Sequence, residues 1–428
     1  MPDKFDAIVV GAGPAGSAAA YSMAKAGLSV LLIERGEFPG SKNTSGAVFY
    51  GEVLNELMPG FWREAPVERW INNQVISILG EGSSINIKTS REQTSKPVGV
   101  SVLRSKFDRW LAQKAVDAGA TLLTSSLVDD LLWEKDRVTG VRVAREQGEV
   151  LADVVIIADG ANSLLSEKAK LRGKMELRHV AVAVKELIKL PENEIEQHFQ
   201  LSGNEGAAYS FLGEGTKGLP GGCFLYTNRE SLSIGLIVNL HNLQTAGIQP
   251  FELLDGFKEH QAVAPLIAGG IVKEYSAHLI PEAGYDAVPK LFANGVLVVG
   301  DAAGLTLNSG FTLRGMDLAI ASGIAAAETV KQAKKNKDYS AGYLSYYRKL
   351  LEQGFVLKDL KRVKNFSRLL NNKLIYREYP AWACRVANRL YNVGTKPALK
   401  MTKIINGERP RSLSLWRVIS DIFKVKDL

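Results

Sequence analysis

Four short apolar runs frame this 428-residue chain. Residues 7–10, 30–33, 154–158 and 296–299 show no polar alternation. That is the pattern of strands buried on both faces of a parallel sheet. Between the first two, residues 15–26 have the length and small-residue composition of a helix, and Gly27 stops it. A short helix over 53–58 precedes the aromatic turn Pro59-Gly60-Phe61-Trp62. Strands are expected at 75–79 and 85–87, joined by a glycine turn, and at 98–103. Phe107, Trp110, Leu111, Lys114 and Ala115 recur at helical spacing. They predict a helix over 105–118 with Ser105 as its N-cap. Residues 121–125, 128–134 and 138–144 read as strands, with a hairpin at Asp136-Arg137. From about 180 to 278 short β segments dominate, interrupted by one helix at 250–259. A long helix is predicted over 316–334, and the remainder is helical.

This order predicts an α/β fold. A discontinuous Rossmann-like domain takes 1–74, 98–178 and 285–335. A β-rich antiparallel domain, 75–97 and 179–284, is inserted into it, and a helical C-terminal region covers 336–428.

Each apolar run leads into a loop with chemical meaning. The first opens on Gly11-Ala12-Gly13-Pro14-Ala15-Gly16. Gly11 permits the tight turn, Gly13 lets a pyrophosphate approach the backbone, and Gly16 lets helix and strand pack closely. The helix start offers free N–H groups and positive dipole to phosphates. Glu34, at the end of the second run, is placed to accept hydrogen bonds from a ribose. The acid is followed by Arg35, an arrangement that favours FAD over NAD without settling it. The other two runs end in Asp159-Gly160 and Gly300-Asp301. Asp301 can bond a sugar or ribityl hydroxyl, and the residues after it can aim N–H groups at a flavin. Singly these dipeptides are turns; in this order they point to FAD.

Charge adds an asymmetry. The formal net charge is +8. Residues 331–428 hold 23 Lys and Arg against 7 Asp and Glu, a net of +16, while the body holds 30 against 38, a net of −8. A basic tail on an acidic body suits a polyanionic surface, with anionic lipid, an acidic protein and nucleic acid as candidates. Cys223 and Cys384 are the two cysteines, too few to hold an iron–sulfur cluster. The five histidines, at 179, 198, 241, 260 and 278, have no metal-ligand spacing and read as surface or core residues. No metal is expected. No apolar run approaches the roughly 18 residues of a membrane span. The start MPDKFDAIVV lacks a signal-peptide pattern, so a cytoplasmic protein is expected.

With these motifs assembled, the chain resembles the glutathione-reductase-type FAD fold, in the branch that holds geranylgeranyl reductases and electron-transfer-flavoprotein:quinone oxidoreductases. Within that branch it is similar to the FixC family. The stretches that carry the resemblance are GSKNTSGAVFYGEVL, VLRSKFDRWLAQKA, GGCFLYTN, YSAHLIPEAG and GDAAGLTLNSGFTLRGMDLAIASG. They extend over almost the whole length and fade after about residue 380.

The resemblance implies one non-covalent FAD per chain. It implies that Gly11, Gly13, Pro14, Ala15, Gly16, Glu34 and Arg35 hold the ADP half. Arg104 would meet the phosphates or ribityl chain, and Val128, Asp159, Gly160, Gly300 and Asp301 would complete the site. Lys42, Ser45, Gly46 and Ala47 would lie near the isoalloxazine. Gly310, Phe311, Leu313 and Arg314 would approach its pyrimidine side. For Arg104 the plainer role is a carboxylate ion pair, and for Lys42 a solvated loop position.

Mitochondrial-type members carry their own four-cysteine cluster, which this chain cannot form. The resemblance therefore implies a small ferredoxin-like iron–sulfur subunit as partner. An electron-transfer flavoprotein heterodimer would be the donor and membrane quinone the acceptor, with no catalytic acid or base required. Nucleic acid falls away as a partner.

Quinone lives in lipid, so peripheral attachment to the inner face of the cell membrane is expected. Two stretches qualify: residues 47–62 with Trp62, and the tail LSLWRVISDIFKVKDL. In the tail Leu415, Trp416, Ile419, Ile422 and Phe423 share a helical face, with Arg417, Asp421 and Lys424 away from it. The plainer reading is an amphipathic helix docked on the body or on a partner. Competing functions are a flavin-dependent reductase of isoprenoid lipids, an aromatic hydroxylase, and a non-catalytic FAD scaffold. The loop after Asp301 lacks the His and Pro common in hydroxylases, which lowers that option.

Overall fold

A computed structural model describes residues 4–42, 47–92, 94–282, 284–309, 312–364, 370, 372–395 and 397–425. The apolar runs build the first sheet. Its strands lie in the order Phe292–Ala293, Val296–Val298, Glu149–Ile157, Lys4–Val10, Val30–Ile33 and Thr121–Leu123. From Val296–Val298 to Thr121–Leu123 all neighbours are parallel. Parallel strands bury both faces, which is why these segments show no alternation. The hairpin Val128–Glu134 with Arg137–Val143 attaches to Glu149–Ile157. Helices Pro14–Ala24, Arg104–Asp117 and Met316–Asn336 belong to the same unit; the first packs against both others. Gly323 makes its closest approach possible, since a Cβ there would lie 2.2 Å from the Ala15 carbonyl oxygen.

The second sheet is larger, in the order Ile271–Pro281, Val180–Lys189, Ser231–Asn239, Gly221–Thr227, Glu205–Gly213, Val67–Gly80, Val100–Val102 and Ala47–Phe49, with Ser83–Ser90 paired to Val67–Gly80. Most pairs are antiparallel, but Glu205–Gly213 runs parallel to Val67–Gly80. One face carries a core that includes Val184, Leu225, Leu236 and Phe257.

Several boundaries differ from expectation. The strand expected at 75–79 runs from Val67 to Gly80, so the domain border drawn at residue 74 falls inside it. Arg69, Asn72 and Asn73 hid its first half. They are buried, yet Arg69 is satisfied by the carbonyls of Asn228, Gly203 and Glu205. Ala47–Phe49 and Val100–Val102 join this large sheet rather than the nucleotide sheet. The helix expected at 105–118 starts at Arg104 with Leu103 before it, and no side chain caps it, so Ser105 is not the cap.

The C-terminal region is helical. Tyr346–Gln353 and Phe355–Arg362 contribute Leu351, Leu357 and Leu360 to the nucleotide core, and the Tyr347 hydroxyl donates to the Val298 carbonyl at 3.0 Å. Helix Glu378–Tyr391 packs on Val67–Gly80. Leu415–Val425 ends the described chain. Among the described residues no helix is long and apolar enough to cross a membrane.

Candidate dinucleotide site

Three loops leave neighbouring parallel strands at their carboxyl ends, where such sheets bind ligands. At the first, Gly11 takes φ +105° and sits so close to the next strand that a Cβ would lie 2.3 Å from the Ala158 carbonyl oxygen. A Cβ on Gly16 would lie 1.9 Å from the Gly11 carbonyl oxygen. No larger residue fits either place. Pro14 opens helix Pro14–Ala24, where its missing N–H costs nothing. Gly13 differs: the nearest atom to a Cβ built there is Arg104 Nη2, at 4.0 Å. Its outer side faces open space and a guanidinium, a suitable seat for a pyrophosphate.

Glu34 is fixed by the backbone. One carboxylate oxygen accepts from the Ala12 N–H at 3.0 Å and the other from the Gly36 N–H at 2.7 Å. Lone pairs remain for ribose hydroxyls. Val128 is buried at the start of its strand, two residues past Ser126, whose N–H donates to the Glu34 carbonyl.

Arg104 is held by Asp108, one turn along its helix, through two 2.7 Å hydrogen bonds. Asp108 is fully buried. The carboxylate pairing and the cofactor role are thus compatible: Asp108 aims the guanidinium, and Nη2, which bonds to Asp108 through one of its two hydrogens, also lies by Gly13.

At the second loop Asp159 is half-buried, and burial pushes its carboxyl above the usual range. Its Oδ1 accepts no hydrogen bond from any described residue. At the third loop Gly300 takes φ +62° against Ala15, and its N–H donates to the Ser322 hydroxyl. Asp301 follows; burial raises its carboxyl, opposed by the charges of His278 and Arg104.

The remaining expected positions vary. Arg35 and Lys42 are exposed. Ala47 pairs with Val102 in the large sheet. Leu313 is partly exposed on the short hairpin with Leu307–Asn308. Arg314 is tied to Asp317 and Asp359 and stacks over Phe355, so its guanidinium is committed to that network. Ser45, Gly46, Gly310 and Phe311 lie outside the described residues.

Sequence reasoning missed Asp108, which holds Arg104, and His278, whose charge bears on Asp301. His278 sits in one of the stretches that carried the resemblance but was read as an ordinary histidine.

The arrangement fits FAD: a glycine seat open to Arg104, an acid at the ribose position, and a buried Asp159 oxygen awaiting a donor. Comparisons agree. The family model "FAD dependent oxidoreductase" matches residues 6–166. "Protein FixC" of Escherichia coli (strain K12) is 47% identical over 407 residues, covering 94% of each chain. The chain belongs to the FixC family. "Protein FixC" of Azorhizobium caulinodans is 42% identical over 409 residues, again covering 94% of each. "Probable electron transfer flavoprotein-quinone oxidoreductase YdiS" of Escherichia coli (strain K12) is 44% identical over 424 residues, covering 99% of this chain and 98% of the relative. Among solved structures, a geranylgeranyl bacteriochlorophyll reductase-like protein of Thermoplasma acidophilum superposes with a TM-score of 0.76 at 22% identity, covering 99% of each. That likeness concerns the fold alone. This FixC-family chain is a FAD-dependent oxidoreductase that works by electron transfer.

Proposed function

We propose that this chain passes electrons from an electron-transfer flavoprotein heterodimer (FixA/FixB-like) to membrane quinone. It would act as the FixC subunit of a Fix-type complex. The observation that carries this reading is the near full-length match to the relative named "Probable electron transfer flavoprotein-quinone oxidoreductase YdiS". Bound FAD supplies the reversible two-electron carrier; the chain's residues bind it and shape the approach to it.

Strand alternation supports an apolar approach. Cys223 and Leu225 point into the large sheet's core, so Phe224 and Tyr226 face the other way. Their rings stack at 4.9 Å. Tyr226 pairs in register with Ala208, and Ala208 with Gln74, whose amide donates to the Tyr50 hydroxyl at 3.5 Å. Burial pushes the Tyr226 hydroxyl up, with Tyr50 adding to it. A flat, aromatic, weakly acidic surface suits a quinone ring.

Both cysteines are buried, Cys223 in the large sheet and Cys384 on helix Glu378–Tyr391. An iron–sulfur cluster would therefore come from a ferredoxin-like subunit (FixX-like). The basic tail offers such a partner, or anionic lipid, a complementary surface.

Peripheral membrane attachment on the cytoplasmic side belongs to the same reading. Helix Leu415–Val425 is held at Asp421, which is buried and accepts from Asn372 and Tyr379, each at 2.8 Å. Trp416 is 82% exposed and Ile419 43% exposed. An amphipathic helix that merely packed on the body would turn these residues inward. Trp62 is a weaker anchor than expected, because it is half-buried with its edge against Phe61.

The test is purification from membranes without denaturation, with subunit identification and flavin and iron analysis. Recovery with a flavoprotein heterodimer and a small iron–sulfur protein supports the assignment. Recovery of the chain alone, fully active with NADH, overturns it.

A further inference from the structure

The most exposed apolar side chains of this chain do not lie on its last helix. Among the described residues Val393 is 89% exposed and Tyr391 87%, more than any other large hydrophobic side chain, Trp416 included. Leu390, Leu399 and Met401 are exposed beside them. Single exposed residues of this kind are ordinary, but five within twelve positions make a patch.

The patch is displayed from fixed ends. Helix Glu378–Tyr391 leads into it and helix Met401–Gly407 leaves it. The Trp382 indole N–H donates to the Ile405 carbonyl at 3.0 Å, and the Arg385 guanidinium donates to the Glu408 carbonyl at 3.2 Å. Cys384 and Ile404 are buried. The two helices are thus tied together, while the described residues between them, over 392–400, form no helix or strand and stay exposed.

The first helix is also fixed to the large sheet. A Cβ on Gly80 would lie 2.8 Å from Cys384 Cβ. Gly80 and Gln74 share one face of strand Val67–Gly80, because the alternation between them is unbroken. Helix Glu378–Tyr391 therefore lies on the face that carries Gln74 and its Tyr50 contact, the face proposed for the quinone approach.

Charge decides what can cover the patch. Residues 385–417 hold eight Lys and Arg and a single acid, Glu408. Arg389, Lys400 and Lys403 flank the apolar residues and are exposed. Apolar tips rimmed by long basic side chains match the boundary of an anionic bilayer, where tyrosine favours the headgroup level and cations meet anionic lipid. The core of a protein interface would instead be depleted of lysine. The open backbone over 392–400 limits the depth. Its N–H and C=O groups must keep water, so side chains enter the lipid and the chain does not.

We propose that residues 390–401 are a second lipid-contacting element, seated at the headgroup boundary of an anionic membrane by Tyr391, Val393 and the cations around them. That element presupposes the peripheral attachment proposed above and adds to it a contact apart from Trp416.

The experiment uses the full chain with FAD bound. Both natural cysteines are buried, so Val393→Cys supplies one accessible thiol for an environment-sensitive fluorophore. Glu146→Cys, in the exposed turn before strand Glu149–Ile157, carries the same probe as control. On phosphatidylcholine vesicles containing phosphatidylglycerol the probe at 393 should shift to the blue. Spin labels near the headgroup should quench it more than labels at the acyl-chain ends. The probe at 146 should do neither. Tyr391→Ser combined with Val393→Ser should weaken vesicle binding at least about tenfold. It should leave the Tm unchanged, because both side chains are already in water. A probe at 393 that stays in water on vesicle-bound protein, or is quenched no better than the probe at 146, overturns the proposal and leaves attachment through the tail intact. A blue shift that needs the electron-transfer flavoprotein instead of lipid also overturns it, and assigns the patch to a protein. If the intact chain binds no vesicles, the attachment itself fails and this element with it.

Discussion

Arg104 and Asp108 face each other across one helical turn, with Nε and Nη2 of the arginine each 2.7 Å from a carboxylate oxygen. With the glycine turn as the proposed pyrophosphate seat, the pair would couple stability to cofactor binding, because the same guanidinium lies by Gly13. Removing one partner of a buried ion pair costs roughly 3–5 kcal/mol, at the lower end here because Arg104 keeps some solvent contact. Asp108→Asn should therefore lower both the Tm and FAD retention. Arg104→Met should lose FAD more severely than Tm. Melting curves and flavin content after gel filtration of dilute protein decide this. Full flavin in both variants would remove Arg104 from the site.

Asp301→Ala should leave the fold intact and reduce FAD affinity. A charge-assisted hydrogen bond contributes roughly 1.5–3 kcal/mol, or about tenfold to a hundredfold in Kd. Fluorescence titration of the FAD-free variant measures it. An unchanged Kd would mean that the carboxylate serves only His278 and Arg104.

Gly323→Ala should act at a distance. The new methyl would meet the Ala15 carbonyl oxygen at 2.2 Å and push helix Pro14–Ala24 off its seat. Its N-terminus is the proposed seat of the pyrophosphate, so flavin content should fall along with Tm. Gly342→Ala is the control: its Cβ has only the Ser340 hydroxyl near, at 3.6 Å, and its effect should stay within about 1 kcal/mol.

Truncation before Leu413, or Trp416→Ser alone, should weaken binding to vesicles of anionic lipid in co-sedimentation. Salt should weaken the intact chain's binding, since each basic residue near the surface contributes roughly 1 kcal/mol. Equal sedimentation of intact and truncated chains would assign the exposed Trp416 face to a protein partner instead.

The nucleotide half was legible because parallel strands buried on both faces leave unbroken apolar runs, and because the glycine at position 11 admits no substitute. The large sheet was harder to read. Its strand Val67–Gly80 begins with Glu68, Arg69, Asn72 and Asn73, all buried. Arg69 donates to Asn228, Gly203 and Glu205, and Glu68 accepts from Arg229, all more than a hundred residues away, while Asn72 and Asn73 bond to Arg91 and Ser90 across the neighbouring hairpin. No local pattern can announce such partners. The docking of the last helix was also invisible, since its apolar face is legible in sequence but the inward turn of Asp421 depends on Asn372 and Tyr379.

The most direct test of the central claim is anaerobic rapid mixing of the FAD-loaded protein, with its partners present, first with reduced electron-transfer flavoprotein and then with a quinone. The account predicts that the visible flavin band bleaches on the first mixing and returns on the second as quinol forms, while NADH alone does neither. Direct bleaching of the isolated chain by NADH with full quinone reduction, or no bleaching by the reduced flavoprotein, would contradict it.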